Sequence, residues 1–260
     1  MSLKPISRKQ GRSAVAANAY RRGEKLYDER TGKTHDYTRK RDIIHKEILL
    51  PDDAPPEFLN SQTLWNAVER VETRQDSRVA KEFVLALPRE LKFETHLALI
   101  REFASKCITP HGLCADVAIH EGHSKGMQSI EDDHDEIQPH NPHCHILITD
   151  RPLDREGFSP KKNPGLNKME FLKKCRKEWA DIQNRMFVRK GLKVRASHES
   201  YKARGVDCEP TLHLGPVFSE MERRGIETIF GNENRARARR NEERALRDEQ
   251  GRKRSHGRSR

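Results

Sequence analysis

Two histidines two residues apart, His143 and His145, stand at the start of an apolar, β-branched run that continues to Thr149. Side chains at positions i and i+2 of a strand point to the same face of a sheet. We therefore expect the two imidazoles to lie side by side, with Cys144 on the opposite face. Such a pair is half of a metal site. Alone it is compatible with amidohydrolases, cupins and zinc hydrolases.

A third histidine, His120, ends the apolar segment that begins at Cys114. If this segment pairs antiparallel with the strand of His143 and His145, three imidazoles meet on one sheet face. Three neutral imidazoles with open coordination positions are typical of a catalytic metal site, because a structural site is usually closed by a fourth protein ligand. A lone histidine at a strand end is more often a surface residue, so the metal prediction depends on this pairing.

The elements that position these histidines are predicted from apolar periodicity, capping residues and turn residues. Strands are expected over 2–8, 43–50, 79–87, 114–120 and 142–149. Helices are expected over 13–23, 61–75, 95–107 and 167–190, with shorter ones over 197–205 and 216–224. The segment 24–42 is expected to be a charged loop or hairpin. The segment 121–140 is expected to be a long loop whose His123, His134 and His140 are solvated.

Composition limits the class of protein. Hydrophobic residues make up 33% of the 260 positions and charged residues 35%, which predicts a lean core with part of the chain outside it. The five cysteines include no CxxC pair, which argues against a disulfide framework and against a thiolate zinc site. No apolar stretch approaches the ~20 residues that span a bilayer. We therefore expect a cytoplasmic protein without membrane insertion.

Positive charge is concentrated at the two ends of the chain. Residues 1–46 hold 13 Lys/Arg against 5 Asp/Glu, and residues 235–260 hold 11 against 4, whereas the segment between them is slightly acidic. Such asymmetry is typical of proteins that bind a polyanion, most often nucleic acid. The plainer interpretation is solubility charge at the N-terminal end and a disordered Arg-rich tail at the other.

Tyr20 lies in an alanine-rich segment that Ser13 can cap and Gly23 can end, and it is followed by Arg21 and Arg22. A helical tyrosine is normally a packing residue. Beside two arginines in a basic segment, its phenol is also placed to act as a nucleophile on a phosphate. With an unperturbed pKa of about 10, the phenol needs help to lose its proton at neutral pH.

At this point the chain resembles the MobA/MobL relaxases. The motifs that carry the resemblance run in order from about residue 3 to residue 230: Arg12–Arg21, Asp28-Glu29-Arg30-Thr31-Gly32, His35-Asp36-Tyr37, Lys81-Glu82-Phe83, Ala86–Leu91, Asn141–His145 and His213–Pro216. The resemblance implies a plasmid mobilisation protein of the HUH endonuclease superfamily. Such a relaxase nicks one strand at an origin of transfer and keeps the 5′ end as a phosphotyrosine.

The fold implied by the resemblance is α+β, a central antiparallel sheet that carries the three histidines and is flanked by helices. Residues 1–232 would form the relaxase domain, and 233–260 a basic, Arg-rich exposed helix or disordered tail. The implied partners are single-stranded or melted origin DNA, with accessory mobilisation proteins and a type IV coupling protein. The implied setting is the bacterial cytoplasm, with a plasmid-borne gene.

The resemblance also assigns roles residue by residue. Tyr20 matches the nucleophile, and His120, His143 and His145 match the ligands of a divalent metal, Mg²⁺ or Mn²⁺ with Zn²⁺ as the alternative. Glu82 matches an acidic residue that orients an imidazole or helps to deprotonate Tyr20; the competing interpretation makes it a surface carboxylate that balances Lys81. The expected DNA contacts are Arg12, Arg21, Arg22, Arg39, Lys40 and Arg41.

Three other functions stay open at this point. A rolling-circle replication initiator of the same superfamily would share the site. A metal-dependent hydrolytic nuclease would use a metal-bound water and leave no protein on the DNA. A non-enzymatic basic DNA-binding protein would use the histidines structurally.

Overall fold

The computed structural model describes residues 1–122 and 141–257, which contain nine strands and six α-helices besides short 3-10 turns and loops. The strands are β1 Ser2–Ser7, β2 Lys25–Asp28, β3 Lys33–Asp36, β4 Ile43–Leu49, β5 Arg78–Ala86, β6 Ala115–His120, β7 His143–Thr149, β8 Leu153–Asp154 and β9 Gly157–Phe158. The helices are α1 Ala14–Arg22, α2 Ser61–Val71, α3 Phe93–Cys107, α4 Met169–Arg189, α5 Gly215–Arg223 and α6 Ile229–Gly257. The chain divides into two units, Met1–Ala196 and Ser197–Arg260.

A five-stranded antiparallel sheet with the order β1-β5-β7-β6-β4 is the centre of the first unit. β7 lies between β5 and β6, and its register with β6 places His120 opposite His143 and Ala118 opposite His145. On the other side of β7, Val84 of β5 lies opposite His145. The predicted α+β class and the predicted antiparallel pairing of the histidine-bearing strands are therefore confirmed.

The two faces of the sheet carry different partners because side chains alternate along each strand. One face packs on α3 and α4 and forms a largely apolar core, with Phe83, Leu85, Phe103, Val117, Ile119, Ile146 and Trp179 among its buried residues. The other face packs on α1 and α2, through Ala14, Val15, Ala19, Leu64, Trp65, Val68 and Leu147. The three histidines lie on this second face, at the end of the strands where the apolar packing stops.

Both ends of α1 are set by the residues that the sequence singled out. The Ser13 hydroxyl accepts a hydrogen bond from the amide of Ala16 at 3.3 Å, which satisfies a free amide of the first turn. Gly23 has φ 59° and its amide donates to the carbonyl of Ala19. Glycine is favoured at Gly23 by this left-handed conformation, because an L side chain would be strained there, whereas the nearest atom to an added Cβ is the movable terminal methyl of Ile43.

A hairpin formed by β2 and β3 follows α1, as the charged segment 24–42 predicted. Its turn is fixed by the carboxylate of Asp28, which accepts a hydrogen bond from the amide of Thr31, and by Gly32 at φ 67°. The second oxygen of Asp28 accepts a 2.6 Å hydrogen bond from the Ser13 hydroxyl. This buried contact joins the hairpin to the start of α1.

The helix predicted over 197–205 is wrong, because this segment forms turns and bends. Nine residues with one large apolar side chain, Tyr201, cannot bury a helical face, and short helices without such burial are marginal in water. The two-residue strands β8 and β9 were not predicted, because each is too short to show alternation. The predicted loop 121–140 lies outside the described residues from 123 onward.

The second unit contains α5 and α6. Glu209 pairs with Arg240 at 2.7 Å and with Arg244 at 2.8 Å, which holds the segment before α5 along α6. Because α6 begins at Ile229, the predicted domain boundary at residue 232 falls within this helix, and the division of roles there stays a prediction. None of the described helices is long and apolar enough to cross a membrane.

Candidate active site

The side chains of His120, His143 and His145 converge on one point of the sheet face. One ring nitrogen from each lies within 4.8 Å of the other two. The ring centroids are 4.7 Å apart for His120 and His145, 5.0 Å for His143 and His145, and 5.3 Å for His120 and His143. Three imidazoles at this spacing fit one divalent metal ion and leave further coordination positions open.

Two of the three rings are fixed through Nδ1. The Nδ1 of His143 lies 2.8 Å from the carbonyl oxygen of Asn141, and the Nδ1 of His145 lies 2.6 Å from Oε1 of Glu82. Because a carbonyl or carboxylate oxygen can only accept, both Nδ1 atoms carry the proton. Each ring therefore keeps Nε2 free to bind a metal.

The third ring, His120, meets oxygen atoms on both sides. Its Nε2 donates to the carbonyl of Arg21 at 2.7 Å, and its Nδ1 lies 3.3 Å from Oδ2 of Asp42. Burial lowers the pKa of His120 to about 4, so the ring is neutral at pH 7 and has one proton, which Nε2 uses. Nδ1 then carries no proton, and its lone pair faces the carboxylate of Asp42. The Nδ1 lone pair is available to a cation, beside the negative charge of Asp42.

Tyr20 lies in the last turn of α1 with half of its surface exposed. Two contacts hold its ring: a perpendicular ring contact with Tyr37 at a centroid distance of 5.2 Å, and the Lys40 ammonium 4.0 Å from the ring centre. Burial lowers the pKa of Lys40, and the nearby Arg21 charge adds to this, although Asp42 partly opposes them. The phenol is thus accessible to a large substrate while its ring is held in one orientation.

Arg21, the residue after Tyr20, joins α1 to the histidines in two ways. Its carbonyl accepts the hydrogen bond from His120, and its guanidinium forms a two-pronged ion pair with Glu82. Glu82 in turn holds His145. The turn that carries Tyr20 is therefore connected to two of the three metal-site rings.

The interpretation of Glu82 as a surface carboxylate that balances Lys81 is wrong. Glu82 is 5% exposed and lies on the histidine face, whereas Lys81 points to the other face and pairs with Asp150. Burial would raise the pKa of Glu82, but the hydrogen bonds from His145 and Arg21 outweigh this and lower the pKa to about 2. The carboxylate is ionised at neutral pH and orients the His145 ring.

The six predicted DNA contacts divide into two groups. Arg12, Arg39 and Arg41 are exposed, and none of them forms an ion pair within the described part of the chain. The charges of the other three have partners in the protein: Arg21 binds Glu82, Arg22 binds Asp116 at 2.6 Å, and Lys40 lies 3.8 Å from Asp42. All six assignments to DNA stay predictions.

A model of the MobA/MobL family matches residues 12–224, which is most of the chain and includes every residue of the site. The chain belongs to the MobA/MobL family. The family resemblance that its motifs predicted is confirmed.

Relatives of this MobA/MobL chain are longer than it is. It is 36% identical over 255 residues to the mobilization protein MobL of Acidithiobacillus ferridurans, an alignment that covers 91% of this chain and 65% of that one. It is 32% identical to the conjugal transfer protein TraA of Agrobacterium fabrum, over 88% of this chain and 23% of that one. It is 33% identical to mobilization protein A of Escherichia coli, over 88% and 31%.

A solved structure from work on the molecular basis of vancomycin resistance transfer in Staphylococcus aureus has the same fold. It superposes with a TM-score of 0.65 at 32% identity, over 77% of this chain and 97% of the other. The MobA/MobL chain thus shares its fold with this structure.

One important residue of the site was missed by the sequence interpretation. Asp116, on β6 and on the same face as His120, is buried and accepts hydrogen bonds from Asn18 at 2.7 Å and from the Trp65 indole at 2.8 Å, besides pairing with Arg22. It therefore fastens α1 to the sheet through Asn18 and Arg22, the residues two positions before and after Tyr20. A carboxylate inside an otherwise apolar strand was the available signal, because buried charges need partners.

Replacing Glu82 with Gln is expected to make the free energy of unfolding depend less on pH in the acid range. A carboxyl whose pKa is about 2 when folded and near its ordinary 4.5 when unfolded stabilises the fold fully above pH 4.5, and the contribution is lost as pH falls through 2. The contribution is at most about 3–4 kcal/mol, since each pKa unit corresponds to about 1.4 kcal/mol. Glu82→Gln should be less stable at pH 7 and lose less between pH 5 and 3.

Urea unfolding of the metal-free protein at pH 7, 5, 4 and 3 measures this effect. The matched control is Glu90→Gln, because Glu90 is exposed and has no ion pair among the described residues. The control should follow the parent protein at every pH. A Glu82→Gln curve that runs parallel to the parent curve would show that folding does not stabilise the Glu82 carboxylate.

Proposed function

We propose that this chain is the relaxase part of a plasmid mobilisation protein, which nicks one strand of origin-of-transfer DNA by transesterification. The observation that carries the proposal is the double connection through Arg21, which joins the turn of Tyr20 to His120 and, through Glu82, to His145. A nucleophile and a metal site fixed to one another in this way suit attack on a phosphate. The mobilization and conjugal transfer proteins among the relatives support the biological role.

The metal site would be formed by Nδ1 of His120 and Nε2 of His143 and His145. When bound there, a divalent ion would supply positive charge to the nonbridging oxygens of the scissile phosphate and so stabilise the transition state. Mg²⁺ and Mn²⁺ are the ions proposed, with Zn²⁺ as the alternative. Imidazole nitrogens suit Zn²⁺ better than Mg²⁺, so the choice of ion needs a direct titration.

Tyr20 performs the covalent step. Its phenolic oxygen attacks phosphorus in line with the bond to the 3′ oxygen; the P–O3′ bond breaks, and the phenol proton is released while the 3′ oxygen leaves as a hydroxyl. The protein stays joined to the 5′ phosphate. Because one phosphodiester replaces another, the attack of a 3′ hydroxyl on the phosphotyrosine restores the strand without a nucleotide cofactor.

The residues around Tyr20 act on position and charge. Glu82 holds the His145 ring through Nδ1, and Arg21 holds Glu82, so both are positioning residues. Arg12, Arg39 and Arg41 are proposed to bind the backbone of a single-stranded or melted substrate, with Lys40 beside the phenol. Affinity is then expected to fall steeply with salt. In the full mobilisation system, accessory mobilisation proteins and a type IV coupling protein are the proposed partners.

End-labelled DNA tests the proposal directly. A single strand that carries the origin is incubated with the protein and Mn²⁺, denatured and resolved on a gel. A 3′-end label should move with the protein, because the protein keeps the 5′ phosphate of the downstream fragment, and a 5′-end label should run free. A rolling-circle initiator would give the same adduct and is distinguished by the DNA beside its gene. Cleavage without an adduct would indicate a hydrolytic nuclease, and intact DNA a binding protein without this activity.

A further inference from the structure

A cavity of about 410 Å³ lies between α1 and the β2–β3 hairpin. α1 contributes Ala16, Ala17 and Tyr20 to its wall, and the hairpin contributes Lys33 and His35. The volume is within the ~300–1,000 Å³ of ordinary ligand sites. The cavity therefore reaches the proposed nucleophile from the side of the hairpin.

The wall offers two kinds of surface. Ile6, Ala16 and Ala17 form an apolar floor, and the two alanines leave space for a flat group. Arg12 and Lys33 bring positive charge to the rim; both are exposed, and neither forms an ion pair within the residues that the structure describes. Apolar floor and free cations together suit a planar base joined to a phosphate.

His35 adds a polar group without a partner. Its Nε2 is buried and neither accepts nor donates a hydrogen bond within the described residues, and Oδ2 of Asp28, at 3.8 Å, is beyond hydrogen-bonding distance. That oxygen is already bound by the Ser13 hydroxyl. A buried polar atom without a partner is costly, and a ligand that binds it recovers the cost. The edge of a nucleobase presents donors and acceptors suited to an imidazole nitrogen.

We propose that this cavity is a nucleotide subsite, which holds one unpaired nucleotide of the DNA strand next to the cleaved bond. The base lies against Ala16 and Ala17 and bonds to His35, and the phosphate lies at Arg12 and Lys33. Since Tyr20 lies on the wall, the subsite selects the base at one position beside the scissile phosphate. This inference rests on the proposed function for its choice of ligand.

Base removal tests the subsite without requiring cleavage. Single strands of random sequence with a fixed length are selected for binding to the parent protein in the presence of a chelator, and one selected strand is remade with an abasic residue at each position in turn. Affinities are measured by fluorescence anisotropy. Removal of the one base that occupies the cavity should weaken binding about tenfold, the scale of one hydrogen bond together with the burial of apolar surface.

The variant Ala16→Leu fills the cavity. This variant should bind the intact strand about tenfold more weakly. Removing that base as well should lower its affinity no further, because the two changes delete the same contact. The control Ala98→Leu makes the same substitution at an exposed position of α3 and should bind like the parent protein. His35→Ala, which removes the unpaired nitrogen and adds no bulk, should weaken binding of the intact strand only.

The results separate the subsite from the proposed function. The subsite would be overturned if the losses of affinity from Ala16→Leu and from base removal simply add. It would also be overturned if every abasic position weakens binding equally. His35→Ala gives the same decision if Ala16→Leu does not fold. An adduct assay with Mn²⁺ on a strand that carries the origin of transfer is scored separately. If the effects of Ala16→Leu and base removal overlap but no adduct forms, the subsite stands and the nicking function is contradicted. If an adduct forms and the two effects simply add, the nicking function stands and the subsite is contradicted.

Discussion

Tyr20→Phe is expected to abolish the covalent protein–DNA adduct while leaving DNA affinity nearly unchanged. The substitution removes one oxygen atom and keeps the ring that contacts Tyr37 and Lys40, so α1 and its surroundings should stay in place. Without the nucleophile, the rate of adduct formation should fall by about 10⁴-fold or more, the scale on which enzymes respond to loss of a nucleophile.

The matched control for this prediction is Tyr27→Phe. Tyr27 is exposed on the neighbouring strand β2, and the change is chemically identical. The control should form adduct at the parental rate. If Tyr20→Phe still forms adduct at a comparable rate, Tyr20 is not the nucleophile, and Tyr27 or Tyr37 becomes the next candidate.

His145→Ala is expected to have the second-largest effect, through the loss of metal binding. The ring supplies one of three nitrogen ligands, and its removal also leaves the Glu82 carboxylate without its imidazole partner. Adduct formation should fall by about 10³-fold, because a bound metal contributes several kcal/mol to phosphoryl chemistry and each 1.4 kcal/mol is a factor of ten. A chelator should lower the rate of the parent protein to a similar extent.

Calorimetric titration separates metal binding from catalysis. Mn²⁺, Mg²⁺ and Zn²⁺ are each titrated into the parent protein, into His145→Ala and into the control His198→Ala, which removes an exposed histidine of the second unit. One site should be seen in the parent protein and in the control, and none in His145→Ala. Unchanged affinity in His145→Ala would contradict the three-histidine site.

The convergence of the histidines was predictable because its signals are local. The two-residue spacing of His143 and His145 fixes a common face, and His120 ends a strand of suitable length. Only the pairing of β6 with β7 was an assumption, and the register confirms it. The capped helix of Tyr20 was predictable for the same reason, since Ser13 and Gly23 lie directly at its ends.

The connections between these elements were not predictable from one sequence. Arg21 bonds to Glu82 and His120, which are 61 and 99 residues away, and nothing local distinguishes this arginine from the exposed Arg12. Asp116 similarly binds groups 51 to 98 residues away. Such contacts depend on how α1 lies on the sheet, which the spacing of residues along the chain does not specify.

Mass spectrometry of the trapped adduct tests the central claim most directly. The adduct is treated with nuclease and trypsin, and each tyrosine peptide is searched for the added mass of a 5′-linked nucleotide. Cleavage after Arg12 and Arg21 releases residues 13–21, a peptide in which Tyr20 is the only tyrosine. We predict that this peptide carries the nucleotide and that fragmentation places it on Tyr20. A nucleotide on another peptide, or nicked DNA with no modified peptide, would contradict attack by Tyr20.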